Sequence, residues 1–321
     1  MPAVQKHFQY GDLMSQTLNY GLAGNAAYGI YYKHSNRVPP IGLLAGGILG
    51  LAAALVGAVI YAYAIVFIPL IYANVLCVVL FGALLGYVPA RLMRWGKVRS
   101  VPVVLASVVV IALAAYYFHW AAWVYALVQQ SGRGTDLSLS DLLRDPALLG
   151  RVIVTINGEG TWAMSKNESA ASGFILGVVW LVEAGIIFGM AIYVALLSQS
   201  ELPYCERCDH WCPKGANLLR IAPANAFVLR KRMEQRDWAA VKQAGTPSEG
   251  STQWVTLIHH ACPTCGKLHT LSAKQFTIVA DKRRGSRLQE KLVVKKILVS
   301  PEDVGELVGV KTPTKPGTPF A

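Results

Sequence analysis

The chain has 321 residues, of which 54% are hydrophobic and only 15% charged, and a formal net charge of +12. Such apolarity exceeds that of an average soluble domain. It is gathered in long blocks, which excludes a wholly soluble fold and predicts membrane spans.

Residues 1–40 carry scattered aromatics (Phe8, Tyr10, Tyr20, Tyr28, Tyr31, Tyr32) and end at Arg37-Val38-Pro39-Pro40. They lack a basic, apolar, small-residue cleavage pattern, so no removable leader is expected. The segment reads as an interfacial lead-in to the first span.

Residues 41–90 are almost uncharged. One helix of that length would run about 75 Å, against a bilayer core of about 30 Å. The block must therefore be two spans, broken at Pro69. Four spans follow, near 41–65, 70–90, 101–128 and 172–197. Glycines four apart (Gly42, Gly46 and Gly50; Gly82 and Gly86; Gly173 and Gly177; Gly185 and Gly189) place small residues on helix faces. Such faces suit close packing within a bundle, or a homo-oligomer contact as the sharper alternative.

Two polar residues stand out in these spans. Glu183 lies deep in the fourth and His119 in the third. Counted inward from the same side, their depths differ by only about 3 Å at 1.5 Å per residue. They can form a polar pair across the bundle, with Asn74, Tyr116 and Tyr117 as further candidate partners. An intramembrane carboxyl either ties helices together or serves as a proton, ion or ligand site. Cys77, in the second span, reads as a small packing residue.

The loop at 129–171 has four basic and five acidic residues. Its length predicts a small ordered cap. Ser140 is a candidate helix cap, Arg151–Ile156 alternates weakly like a strand or a surface-lying segment, and Asn157–Trp162 is turn-rich. Asn167-Glu168-Ser169 fits the N-glycosylation pattern, which matters only in a secretory route. Basic residues set the orientation. The 91–99 segment carries Arg91, Arg94, Lys97 and Arg99 with no acid, and the tail from 198 has 19 basic and 11 acidic residues. Both termini are expected on the cytoplasmic side, most simply of a bacterial inner membrane, with a basic face toward anionic lipid.

The tail, 201–310, reads as an α+β domain, and 311–321 as a disordered end. Pro223–Ala244 is helix-like, with Phe227, Met233, Trp238 and Val241 available for burial and Arg230, Lys231 and Arg232 exposed. Gln253–His260, Leu268–Ala273, Gln275–Ala280 and Leu292–Val299 read as strands. Lys282, Arg283 and Arg284 form a basic turn, and Pro301 opens a short helix.

Within this domain, Cys205-Glu-Arg-Cys208 and Cys262-Pro-Thr-Cys265-Gly are two C-x-x-C hooks separated by a domain-sized insert. Each offers two thiolates from one turn, which together suit a tetrahedral zinc ion. In a reducing compartment metal binding is favoured over disulfides. The strand–Cys-Pro-Thr-Cys-Gly–strand arrangement resembles the second knuckle of a zinc ribbon, over about residues 205–275. The first hook departs from that pattern, with Asp209 where glycine is common. Cys212 is a substitute ligand or a packed thiol. The Cys205-x-x-Cys208-x-x-x-Cys212-Pro run leaves an iron–sulfur cluster as the alternative. His210, His259, His260 and His269 are candidate supporting donors.

A four-thiolate zinc site is closed, which implies a structural role. No nucleophile elbow, phosphate loop, H-E-x-x-H or paired-carboxylate motif appears in the sequence, so no catalytic residue is expected. The sequence therefore points to an integral membrane protein with four transmembrane helices and a small zinc-binding α+β domain, acting as a binding or scaffold module. Its expected partners are membrane lipid and a cytoplasmic protein. Nucleic acid is a further option through the basic residues. The alternative function is an ion-coupled or transport protein that uses Glu183.

Overall fold

The computed structural model describes residues 30–68, 70–130, 137–160, 172–199, 202–281 and 285–309. The chain divides into two compact units. One spans Asn36–Glu201, and the other joins the two ends, Met1–Ser35 and Leu202–Ala321.

The first unit holds four helices long and apolar enough to cross a membrane. They are α1 (Pro40–Phe67), α2 (Ile71–Trp95), α3 (Val101–Gln130) and α6 (Gly173–Gln199), with the short α4 (Leu139–Arg144) and α5 (Pro146–Glu159) between the last two. Pro69, the expected break, lies outside the described residues. The chain is helical up to Phe67 and again from Ile71. Large apolar side chains such as Ile41, Ile48, Phe174 and Leu181 point outward, as a lipid solvent requires.

The glycine faces of α1 and α2 work inside the bundle. A Cβ at Gly42 would lie 1.8 Å from the Gly96 carbonyl oxygen, and one at Gly86 would lie 2.2 Å from that of Ala191. Only a missing side chain allows backbones this close. The α6 glycines Gly173, Gly177, Gly185 and Gly189 differ, for nothing lies within 4 Å of a Cβ built on any of them. Two of the cations expected to mark the cytoplasmic loop are buried. Arg94 donates from Nη1 to the Ser198 carbonyl in the last turn of α6 (2.8 Å), and Arg99 is buried as well. A guanidinium there satisfies a carbonyl that the helix leaves unpaired.

The 129–171 region is more helical than its pattern suggests. Arg151–Ile156 lies within α5, not in a strand. Asp145 caps α5, accepting from the amides of Ala147 and Leu148 at 2.9 Å each. Ser138, not Ser140, caps α4 in a reciprocal box with Asp141. Each cap supplies acceptors to first-turn amides, and this local rule outweighed the weak alternation. Tyr117 spends its hydroxyl on the Leu142 and Leu143 carbonyls, joining α3 to α4. The Asn167 sequon lies outside the described residues.

The second unit is an antiparallel meander, β3 (Ala216–Ile221), β4 (Gln253–Ala261), β5 (His269–Asp281) and β6 (Gly285–Val299), in sequential order. A two-strand hairpin, β1 (Tyr204–Cys205) and β2 (His210–Trp211), precedes it. The helices α7 (Ala226–Glu234), α8 (Trp238–Lys242) and α9 (Pro301–Val308) bury Leu229, Met233, Trp238, Val241 and Leu307 against Val255, Leu257, Leu271 and Ile297. Trp238 donates from Nε1 to Asp303 Oδ1 at 2.7 Å, locking α8 to α9.

Several expectations change here. Pro223–Ala244 is two helices, because the chain turns at Arg236, whose φ is +57°. Phe227 is 74% exposed, since Leu229 and Met233 occupy the buried side of α7. β3 replaces a segment read without structure, β5 is one strand where two were expected, and β6 begins seven residues early. Tyr31 and Tyr32 do not lie in a lead-in to the spans. The Tyr32 amide donates to the Lys296 carbonyl (2.8 Å), the Leu298 amide donates to Ile30 (2.7 Å), and Tyr31 bridges to Ile297. This short piece adds to the β6 edge because that edge offers unpaired backbone groups.

Candidate metal centre

The two hooks are turns of the same construction. The first is the reversal of the β1–β2 hairpin, in which Cys205 pairs with His210. The second leaves the end of β4 and returns toward β5, closed by the Cys262 amide on Leu268 (2.9 Å) and the Gly266 amide on Cys262 (3.0 Å). Each turn ends on a left-handed residue, Asp209 at φ +52° and Gly266 at φ +56°. The departure at Asp209 is therefore chemical and not geometric. Aspartate tolerates this region better than most residues, and its Oδ1 accepts from the Tyr204 hydroxyl.

The turns bring Cys205, Cys208, Cys262 and Cys265 together, with all four sulfurs within 4.8 Å of one another. Cys205 and Cys265 Sγ are 3.7 Å apart. A tetrahedron with metal–sulfur bonds of about 2.3 Å has edges near 3.8 Å, so the cluster can hold a metal ion. Burial and the neighbouring thiols push Cys205 up to about 12 and Cys208 up to about 11. Burial acts upward on Cys265 too, but the Lys267 amide and the three other thiols hold it down at about 7. A cation would complete such a site by taking up thiolate charge.

Cys212 is buried beside the cluster but is not one of the four grouped sulfurs. Burial, then the charges of Cys262, Cys205 and Cys265, raise its thiol to about 12. Its amide donates to Pro203 at 2.8 Å, closing the hairpin. His210 Nε2 lies 3.7 Å from Cys262 Sγ, and its Nδ1 lies 3.1 Å from the Cys208 carbonyl. His269 spans Gly266 and His259, with Nε2 at 2.8 Å from the Gly266 carbonyl and Nδ1 at 2.9 Å from His259 Nε2. Since a carbonyl only accepts, His269 donates through Nε2 and accepts at Nδ1.

Tyr32 is the residue the sequence did not single out. Its hydroxyl takes the Tyr204 amide at 2.8 Å and donates to the Tyr204 carbonyl at 3.3 Å. Ser35 donates to Glu206 at 2.6 Å, and His34 packs edge-on to Trp211. The metal cluster thus sits where the unit's two chain segments meet. Only the long-range pairing reveals this.

The other candidate residues fall apart from this cluster. Arg230 donates through Nε and Nη2 to the Val293 carbonyl, and Arg232 through Nη1 to that of Ala240, leaving Lys231 more open. Lys282, Arg283 and Arg284 lie outside the described residues. In the helical unit, His119 Nε2 is 3.9 Å from Glu183 Oε1. The hydrogen bond to that oxygen comes from Tyr61, whose hydroxyl donates at 2.6 Å. Tyr61 also stacks on Phe81 and tilts against His119. Asn74 and Tyr117 are not the partners, and Tyr116 meets His119 ring to ring. Searches of protein-family models, curated proteins and solved structures each return no match for this chain.

Proposed function

We propose that this chain is a membrane-anchored scaffold whose zinc-stapled domain presents a binding surface to a cytoplasmic protein. The closed cluster of four sulfurs is the observation that carries this reading. A tetrahedral thiolate site leaves no position for substrate or activated water, so its ion supplies folding energy to a small domain. The two like-built hooks, with Cys212 outside the sulfur quartet, favour zinc over an iron–sulfur cluster. The basic tail and 91–99 segment favour a cytoplasmic placement of both termini.

Affinity capture of the tagged full chain from native membranes tests this reading. The wild type and Glu183→Gln should retain the same polypeptide, and Cys262→Ser should lose it. Capture of no polypeptide, or equal capture by Cys262→Ser, would overturn the scaffold.

The convergence of Tyr61 and His119 on Glu183 favours a second reading, an ion- or proton-coupled role for the bundle. Reconstituted flux that stops in Glu183→Gln would establish it. Unchanged flux would leave Glu183 as a tie between helices.

A further inference from the structure

The three described helices of the sheet domain pack on one face of the meander. By register, the other face carries Trp254, Phe276 and Glu290 in one cross-strand row, and Ile278 and Leu288 in the next. Arg220, Thr256, Lys274 and Leu292 form the row on the opposite flank. These rows lie at the end of the sheet away from the cysteine hooks.

Ile278, Leu288 and Leu292 are 39%, 49% and 47% exposed. Trp254 and Phe276 stack at 5.6 Å and 13°, both half-buried, and the Arg220 guanidinium sits 5.9 Å over the Trp254 ring. Five large apolar side chains therefore adjoin on the face opposite the one that the described helices of this unit cover. Apolar area joined to tryptophan and arginine is the composition of a protein contact.

The charges beside the patch choose its occupant. Lys274 Nζ and Glu290 Oε2, both partly exposed, lie 3.2 Å apart and join the Phe276 row to the Leu292 row. Among the described residues of these three rows, Arg220 is the one cation beyond the Lys274–Glu290 pair, too little by itself to hold a polyphosphate strand or an anionic lipid surface. One positive and one negative group side by side are self-complementary under a two-fold axis, since Lys274 of each copy meets Glu290 of the other. Confinement of both copies by their own spans raises their effective concentration, so the contact needs less than the roughly 800 Å² per partner of a stable free complex.

We propose that the helix-free face of the sheet, centred on Trp254, Phe276, Ile278, Leu288 and Leu292, is an isologous contact surface for a second copy of this chain. The proposal is independent of the scaffold reading, because it concerns a different partner.

The test uses the full chain in native membranes. A photocrosslinking amino acid replaces Phe276 in one version and Leu292 in another. Illumination should give an adduct of twice the chain mass, mapped to residues 253–256, 274–278 or 288–292 of the second copy. Two differently tagged variants, K274E and E290K, should crosslink to each other about fivefold more than either does to itself, as expected when like charges face each other and opposite ones pair. Adducts to another polypeptide or to nucleic acid at both positions would overturn the proposal. So would the absence of any adduct in inserted chain, or equal crosslinking in mixed and unmixed variants. Metal content and membrane insertion of each variant distinguish a lost contact from a lost fold.

Discussion

The left-handed residues that end the two hooks allow a sharp test of how the metal centre closes. Gly266 sits at φ +56°, and nothing lies within 4 Å of a Cβ built on it. Gly266→Ala therefore adds no clash and isolates the backbone term, about 1–2 kcal/mol for a non-glycine residue in this region. Closure of the turn is coupled to metal binding, so affinity should fall about 5- to 30-fold, at 1.4 kcal/mol per factor of ten. At Asp209 the balance is different. Asp209→Gly removes a smaller strain but also the acceptor for Tyr204, a bond to a charged group worth about 1.5–3 kcal/mol. It should therefore weaken binding despite restoring the common residue, while Asp209→Asn should keep wild-type affinity within about threefold, as it retains both the conformation and an acceptor. Chelator competition on purified full chain measures these affinities, and cobalt absorption reports tetrahedral thiolate ligation. Equal affinity of wild type and Gly266→Ala would refute the idea that these turns close the site.

Other outcomes follow from the packing and the charges. Gly86→Ala should lower thermal stability in detergent by about 1–3 kcal/mol, because its Cβ would meet the Ala191 backbone. Gly189→Ala, with open space around it, should be neutral or slightly stabilising. Trp238→Ala empties a fully buried site and removes the bond to Asp303, a loss of about 3–5 kcal/mol readable in denaturant titration. His260 is lowered to about 4, by burial first, then by Lys296 and His259. The unfolded state thus binds more protons between about 6.5 and 4. Stability present above that window is lost as pH falls through it. His260→Gln should flatten this slope, with cobalt absorption used to separate it from acid release of the metal.

Much of the plan could be read from local composition. Uncharged blocks of span length specify four helices long and apolar enough to cross a membrane regardless of what packs on them, because an unpaired backbone is intolerable in hydrocarbon. Two C-x-x-C hooks named their four cysteines, because ligand spacing within a turn is a local property. Pro301 announced α9 for the same reason, and Ser300 with Asp303 caps it.

What the sequence left open depends on residues far apart in the chain. Tyr61 lies 122 positions from the carboxyl it binds, and Tyr32 lies 172 from Tyr204. Phe227 and Leu229 read alike until the sheet decides which side of α7 is covered. Whether a glycine face meets a neighbouring backbone, as on α1, or open space, as on α6, is likewise decided by packing. Hydropathy and spacing state what each segment requires, a dry surface or a cation. Only the folded chain determines which distant group supplies it, because any sufficiently complementary partner would satisfy the same local demand.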